Sequence, residues 1–302
     1  MARPDFLIIG AQKCATSWLH HHLRRHPELF LPEEKDVELF SYTENLAPDV
    51  FSRWLARFEN TAAARRIGDA NAAYSWTETG SPWSIKLDGF NRRIPESVRE
   101  YLGDELRLII SLRDPVERAV SAYLHHIHHG AVSPEQRLLD IDAPLGIVDM
   151  GFYEAHLQNW LNVYPEDCFL VLDGLPSGET GAAAALNACT DFLEVGRFPA
   201  SGGQDQPVYP GLARRWRDDG VWVEEENPAI RRHLPLRRKL PVITEAGRRF
   251  VRLVDAPELA RLRALYAQDQ DKLGGLLESR NVRCTRLQTA GNAEPNKGGH
   301  RV

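Results

Sequence analysis

Residues 6–19 read FLIIGAQKCATSWL. An apolar run from Phe6 to Ile9 breaks at Gly10, passes Lys13, and continues through Thr16 and Ser17 into an amphipathic segment. That order predicts a strand, a tight turn and a helix. A helix entered from such a turn offers unpaired N–H groups, here around Cys14, Ala15, Thr16 and Ser17, and its dipole favours an anion. Lys13 adds a point charge. The stretch departs from the phosphate loop of ATP- and GTP-binding proteins, G-x-x-x-x-G-K-[ST], because Lys13 arrives at the fourth position with no second glycine before it. Read alone, it fits either an anion cradle or an ordinary turn with a surface lysine.

Working outward, four short runs read as strands: 5–9, 66–70, 107–112 and 168–172. Three are nearly continuous in apolar residues, as expected for strands covered on both faces of a parallel sheet. Helical patterns separate them, so the fold expected is α/β, with a central, mainly parallel sheet and helices on both faces. The helix after residue 112 has the fullest signals: Asp114 as cap, Pro115 at the first position, Glu117 at capping-box spacing and Gly130 to end it. Near the C-terminus, Leu259, Leu262, Tyr266, Leu273 and Leu276 fall at helical spacing and predict a packing face. One domain over 1–287 is expected, with an irregular lid or insert at about 200–245 and a disordered polar tail at 288–302.

A second stretch, RLIISLRDPVERAVSAY at 107–123, changes the balance. Arg113 stands at the carboxyl end of a buried strand, where open α/β sheets bind ligands. Ser121 follows eight residues later on the capped helix. An arginine fork and a hydroxyl suit a second, separate phosphate. The plainer alternative pairs Arg113 with a carboxylate and packs Ser121 as a small residue. Two phosphate sites at the ends of different strands point to a nucleotide phosphorylated at both its 5′ and 3′ positions.

GAQKCATSWL and RDPVERAVSAY together resemble the 5′-phosphosulfate loop and the 3′-phosphate motif of sulfotransferases that use 3′-phosphoadenosine 5′-phosphosulfate (PAPS), in the bacterial and Golgi carbohydrate-type branch. Weaker echoes occur at 151–172, 191–195 and in the C-terminal helix, so the resemblance covers about 5–195 and 256–278. It implies a phosphate-loop-like α/β fold and PAPS as donor, with no metal expected. It assigns nucleotide binding to Gly10, Lys13, Cys14, Ala15, Thr16, Ser17, Arg113 and Ser121. This branch often carries K-E-x-H-[FY]-F with the glutamate as base. Here the segment is EKDVELFS, residues 34–41, which places Asp36 at the glutamate position and Glu38 at the histidine position. Catalytic roles are therefore expected for Lys13 and for Asp36, with Glu38 as alternate. Two carboxylates two residues apart project to one side of an extended segment; a solvated acidic loop is the plainer reading. Asp69, in GDANAAYSW, is either a carboxylate near the acceptor or a cap.

The acceptor implied is a small molecule or carbohydrate. A small-molecule kinase and a non-catalytic module for a bisphosphorylated nucleotide stand as alternatives. A formal charge of −5 over 302 residues argues against nucleic acid as partner. No apolar run approaches the roughly 20 residues that span a bilayer, so no membrane partner is expected. The four scattered cysteines and a start without signal-peptide features lead to an expected cytoplasmic setting. The clusters HHH (20–22) and HHIHH (125–129) read as surface or partly packed histidines rather than metal ligands. The run RRHLPLRRK (231–239) reads as a solvated face, a clamp for an anionic acceptor or, as the resemblance implies, a basic loop over the 3′-phosphate. Trp54, Trp76, Trp83, Trp216 and Trp222 read as core residues or stacking platforms.

Overall fold

The computed structural model describes residues 2–59, 61, 63–85, 87–141, 143–198, 213–234 and 240–287. The first half runs β1 (Phe6–Gly10), α1 (Thr16–Leu23), β2 (Leu29–Phe30), α2 (Pro48–Ala56), β3 (Arg66–Ala70) and α3 (Ile94–Leu102). It continues through β4 (Arg107–Leu112), α4 (Pro115–His128), α5 (Tyr153–Leu161), β5 (Phe169–Asp173) and α6 (Gly178–Leu193). The remainder is β6 (Arg214–Arg217), β7 (Gly220–Glu224), α7 (Pro228–Arg231), β8 (Val242–Glu245), β9 (Arg248–Asp255), α8 (Ala256–Ser279) and β10 (Arg283–Arg286).

Six strands form one sheet in the order β10-β5-β4-β1-β3-β2, and every pairing is parallel. The apolar runs are continuous because both faces are covered. In β1, Leu7 and Ile9 join the core of α3 and α5, while Phe6 and Ile8 join that of α1 and α6. β4 divides the same way, with Leu108, Ile110 and Leu112 on the first face and Ile109 on the second. From β1 the chain builds outward to β3 on one side and then to β4 and β5 on the other. The strand order reverses between β1 and β4, and open α/β sheets bind ligands at the carboxyl ends of such strands.

The capping expected after β4 is present: Asp114 accepts the N–H of Glu117 at 2.8 Å, Pro115 opens α4, and Gly130 follows its end at φ 80°. On α8, Leu259, Leu262, Tyr266 and Leu273 are buried, and Leu276 packs partly buried against the core. The expected irregular insert at 200–245 needs correcting. Its described part, with residues up to 255, forms an antiparallel sheet in the order β6-β7-β9-β8. Val221, Val223, Val251 and Val254 on this sheet pack with Val116, Val120 and Tyr123 of α4. The apolar run VWV in 220–224 and the pairs FV and LV in 248–255 carried that signal, but the clustered arginines masked it. The arginines pair across strands, as Arg215 with Glu245 at 2.7 Å and Arg252 with Asp219 at 3.0 Å. The expected tail lies outside the described residues, as do 235–239 of the basic run; Arg231 and Arg232 bind Glu226 and the carbonyl of His128.

Candidate active site

β1 ends at Gly10, whose φ of 152° suits glycine. A Cβ there would meet Ser75 Oγ at 2.2 Å, so the Ser75 side chain packs on the backbone of 10 only because a side chain is absent there. The following loop places Lys13 and Ala15 at φ 68° and 65°. Left-handed residues alternating with ordinary ones turn successive N–H groups toward one concavity, a shape that binds anions. Ala15 is the N-cap of α1 and provides no side-chain acceptor, so the first N–H groups of the helix are left for a ligand.

This loop borders a cavity of about 720 Å³. Of the residues expected at the site, Lys13, Ala15, Thr16, Ser17, Asp36, Glu38, Arg113 and Ser121 all line it. Gly10 and Cys14 do not. Gly10 acts through the turn, and the Cys14 N–H is spent on the carbonyl of Ala11 at 3.1 Å. The Cys14 thiol is buried 3.5 Å from the Tyr153 hydroxyl, and burial pushes its pKa up, which keeps it protonated.

Four cations surround the cavity: Lys13, Lys35, Arg113 and Arg214. Burial, and then the charges of Arg214, Lys35 and Arg113, push the Lys13 ammonium below its ordinary pKa. Gathering like charges in a partly dry cleft is costly unless an anion neutralises them. Arg113 is 8% exposed; it pairs with Glu117 and donates from Nη1 to the Lys13 carbonyl at 3.4 Å. Its Nε and that of Arg214 are buried without a hydrogen bond. His125, one helical turn beyond Ser121, also faces the cavity; burial and then the Lys13 charge hold its pKa at about 4.

Lys35, Arg214 and the segment 175–178 at the start of α6 were not singled out from sequence, and His125 was read only as a surface or partly packed histidine. Lys35 had a usable signal, since it occupies the lysine of the K-E-x-H segment. Its ammonium lies 3.0 Å from Ser17 Oγ, 3.5 Å from Thr16 Oγ1 and 2.7 Å from Asp36 Oδ2. It therefore joins the anion cradle to the acidic segment.

Asp36 has φ 59°, so its segment is not regularly extended as expected. Asp36 N donates to the Ala70 carbonyl at 2.9 Å, and Oδ1 accepts the Ala72 N–H at 2.9 Å. Glu38 reaches the same cavity, and burial and then the Asp36 charge raise its carboxyl pKa. Asp69 is neither at the cavity nor a cap: it is buried against Trp54 and Arg57. Trp54, Trp76 and Trp222 are core residues and Trp83 is half-buried, whereas Trp216 on edge strand β6 is 40% exposed. Both histidine clusters are helical, and His20 and His22 are buried. Among the described residues no group of His, Cys, Asp and Glu is placed to hold a metal ion.

A parallel sheet that ends in a cationic cradle between two adjacent strands defines an α/β protein with a cleft suited to an anion. The particular kind follows from its relatives: a family profile described as "Sulfotransferase domain" matches residues 3–175, and the chain belongs to that family. Heparan sulfate glucosamine 3-O-sulfotransferase 6 from Mus musculus is 28% identical over 206 residues, 64% of this chain and 53% of its own. Carbohydrate sulfotransferase 15 from Rattus norvegicus is 26% identical over 249 residues, 64% of this chain and 44% of its own. The chain thus spans about half the length of these curated relatives. The crystal structure of a sulfotransferase from Alicyclobacillus acidocaldarius superposes with a TM-score of 0.52 at 21% identity, covering 70% of this chain and 88% of that one, and shows the shared fold.

Proposed function

We propose that this chain transfers the sulfuryl group of PAPS to a hydroxyl of a small-molecule or carbohydrate acceptor. The observation that carries the proposal is the meeting, in one cavity, of the loop at 12–17, the Arg113–Ser121 pair and the carboxylates Asp36 and Glu38. Lys13, Lys35 and the start of α1 take the 5′-phosphosulfate, and Arg113 with Ser121 takes the 3′-phosphate. The acceptor hydroxyl attacks sulfur, its proton passes to Asp36, and the bond from sulfur to the 5′-phosphate oxygen breaks. Lys13 and the helix N-terminus stabilise the charge that grows on that oxygen. Positioning and electrostatics thus supply most of the catalysis.

One observation favours Glu38 as an alternative base. Burial and then the Asp36 charge raise its pKa, while Asp36 is tied to Lys35 and to the Ala72 N–H. Relatives named for heparan sulfate glucosamine and carbohydrate sulfation support a carbohydrate among the acceptors. A reducing, cytoplasmic setting belongs to the same proposal and is supported by four cysteines that remain free thiols. Incubation with PAPS and a panel of hydroxyl acceptors, read by mass spectrometry for the gain of one sulfuryl group, tests it. Tight binding of adenosine 3′,5′-bisphosphate without product on any acceptor would make the chain a binding module. Preference for Mg-ATP would make it a kinase.

A further inference from the structure

Residues 31–38 form neither helix nor strand, yet they carry Lys35, Asp36 and Glu38 into the cavity. Their shape therefore comes from what grips them. Downstream, Asn71 Nδ2 and the Tyr74 hydroxyl both donate to the Val37 carbonyl, at 3.1 and 2.9 Å. Upstream, the guanidinium of Arg57, just past the end of α2, donates through Nη2 to the Glu34 carbonyl.

The same Nη2 lies 3.4 Å from Asp69 Oδ1, and Trp54 Nε1 donates to Asp69 Oδ2 at 3.2 Å. Asp69 is 1% exposed, stands on β3 and does not line the cavity. A buried carboxylate–guanidinium pair adds little net stability over apolar packing. What this one does is anchor a flexible side chain to a sheet strand and aim it at one carbonyl.

We propose that Asp69 and Arg57 are positioning residues that hold the Glu34 carbonyl and thereby set Lys35 and Asp36, one and two residues further on. The functional part of the inference rests on the sulfuryl-transfer reading; the structural part does not. Support from the chain's own residues holds reacting groups in register, and a displacement near 1 Å costs about a hundredfold in rate. The pair is also sensitive to pH. Burial raises the Asp69 pKa to about 6, against the opposing pull of Arg57. The charged or titratable groups acting on it are Arg57 and, on the following loop, Tyr74. Protonation below about pH 6 neutralises the carboxylate and loosens its hold on Arg57.

The test compares Asp69→Asn and Arg57→Lys with the unaltered chain. Asn keeps the shape and an acceptor for Trp54, while Lys keeps the charge but loses the fork. Amide hydrogen exchange, corrected for intrinsic rates, reads the positioning without any reaction. Exchange at Asp36, whose N–H donates to the Ala70 carbonyl at 2.9 Å, should rise at least tenfold in both variants, with the strands of the parallel sheet still protected. The unaltered chain should lose this local protection below about pH 6, and Asp69→Asn should not change with pH. With an acceptor in hand, kcat should fall about ten- to a hundredfold, a larger factor than any weakening of adenosine 3′,5′-bisphosphate binding through Lys35. Unchanged exchange at Asp36 in both variants would overturn the proposal, as would a loss of protection spread evenly over the chain. Failure of the unaltered chain to bind the bisphosphate overturns the sulfuryl-transfer reading and leaves the exchange result standing.

Discussion

Replacing Arg113 by lysine keeps the charge and removes the fork, and the surroundings of this side chain set the size of the loss. The guanidinium already serves two neighbours, Glu117 through Nη2 and the Lys13 carbonyl through Nη1. Its Nε is buried without a bond. Five N–H groups in a rigid plane allow it to keep both contacts and still address a phosphate. A lysine ammonium beside Glu117 pairs with that carboxylate first, and its three donors hold no fixed plane. Long-range attraction for the ligand is retained, and one charge-assisted hydrogen bond to it is lost. Such bonds are worth about 1.5–3 kcal/mol, so the dissociation constant of adenosine 3′,5′-bisphosphate should rise roughly 10- to 150-fold. Titration calorimetry measures it, with thermal unfolding of the free variant as a control for folding. An affinity within twofold of the original, in a variant that unfolds at the same temperature, would remove Arg113 from the phosphate site.

Three further expectations follow from the same geometry. Lys13→Ala should lower kcat more than it weakens PAPS binding, because Lys13 interacts most strongly with charge that develops on the leaving oxygen; single-turnover kinetics at saturating PAPS separates the two. Asp36→Asn should reduce turnover by about two to four powers of ten with nucleotide affinity nearly intact, and Glu38→Gln should do less; the reverse ranking makes Glu38 the base. His20 sets a pH dependence of stability. Burial holds its pKa at about 4 in the folded chain, against about 6.5 unfolded, so its contribution is present above pH 6.5 and is lost as pH falls toward 4. Urea unfolding should show about 2 kcal/mol less stability at pH 5 than at pH 7 from this residue, and His20→Gln should remove that share.

The parallel sheet was legible because local and global preferences agree there. Strands covered on both faces read as unbroken apolar runs, and Asp114, Pro115 and Glu117 announce α4 through contacts only a few residues apart. β10 has no such signature, since RCTR carries one apolar residue and owes its place to pairing with β5. The antiparallel sheet failed for a different reason. The outer positions of its strands carry arginines and glutamates that pair across strands, so the polarity that suggested a loop is the sheet's own exposed face.

Within the cavity, the lining residues legible in the sequence are those whose place depends on the element that carries them. Lys13 follows from the turn after β1, and Arg113 from the end of β4. Those missed act across sequence distance: Arg214 arrives on a separate sheet, and Lys35 reaches back eighteen residues to Ser17. Lys35 alters how the acidic segment is understood. With its ammonium between Ser17 and Asp36, the half-exposed carboxylate is also one member of a chain that begins at the anion cradle. On the sulfuryl-transfer reading, an anion arriving at Lys13 should compete for the Lys35 ammonium and weaken its pairing with Asp36. Donor binding should then leave Asp36, the proposed base, less tightly paired as the cradle fills. Lys35→Met should therefore uncouple the base from the cradle: Asp36 loses its partner before any donor binds, and nucleotide binding loses its influence on the acidic segment.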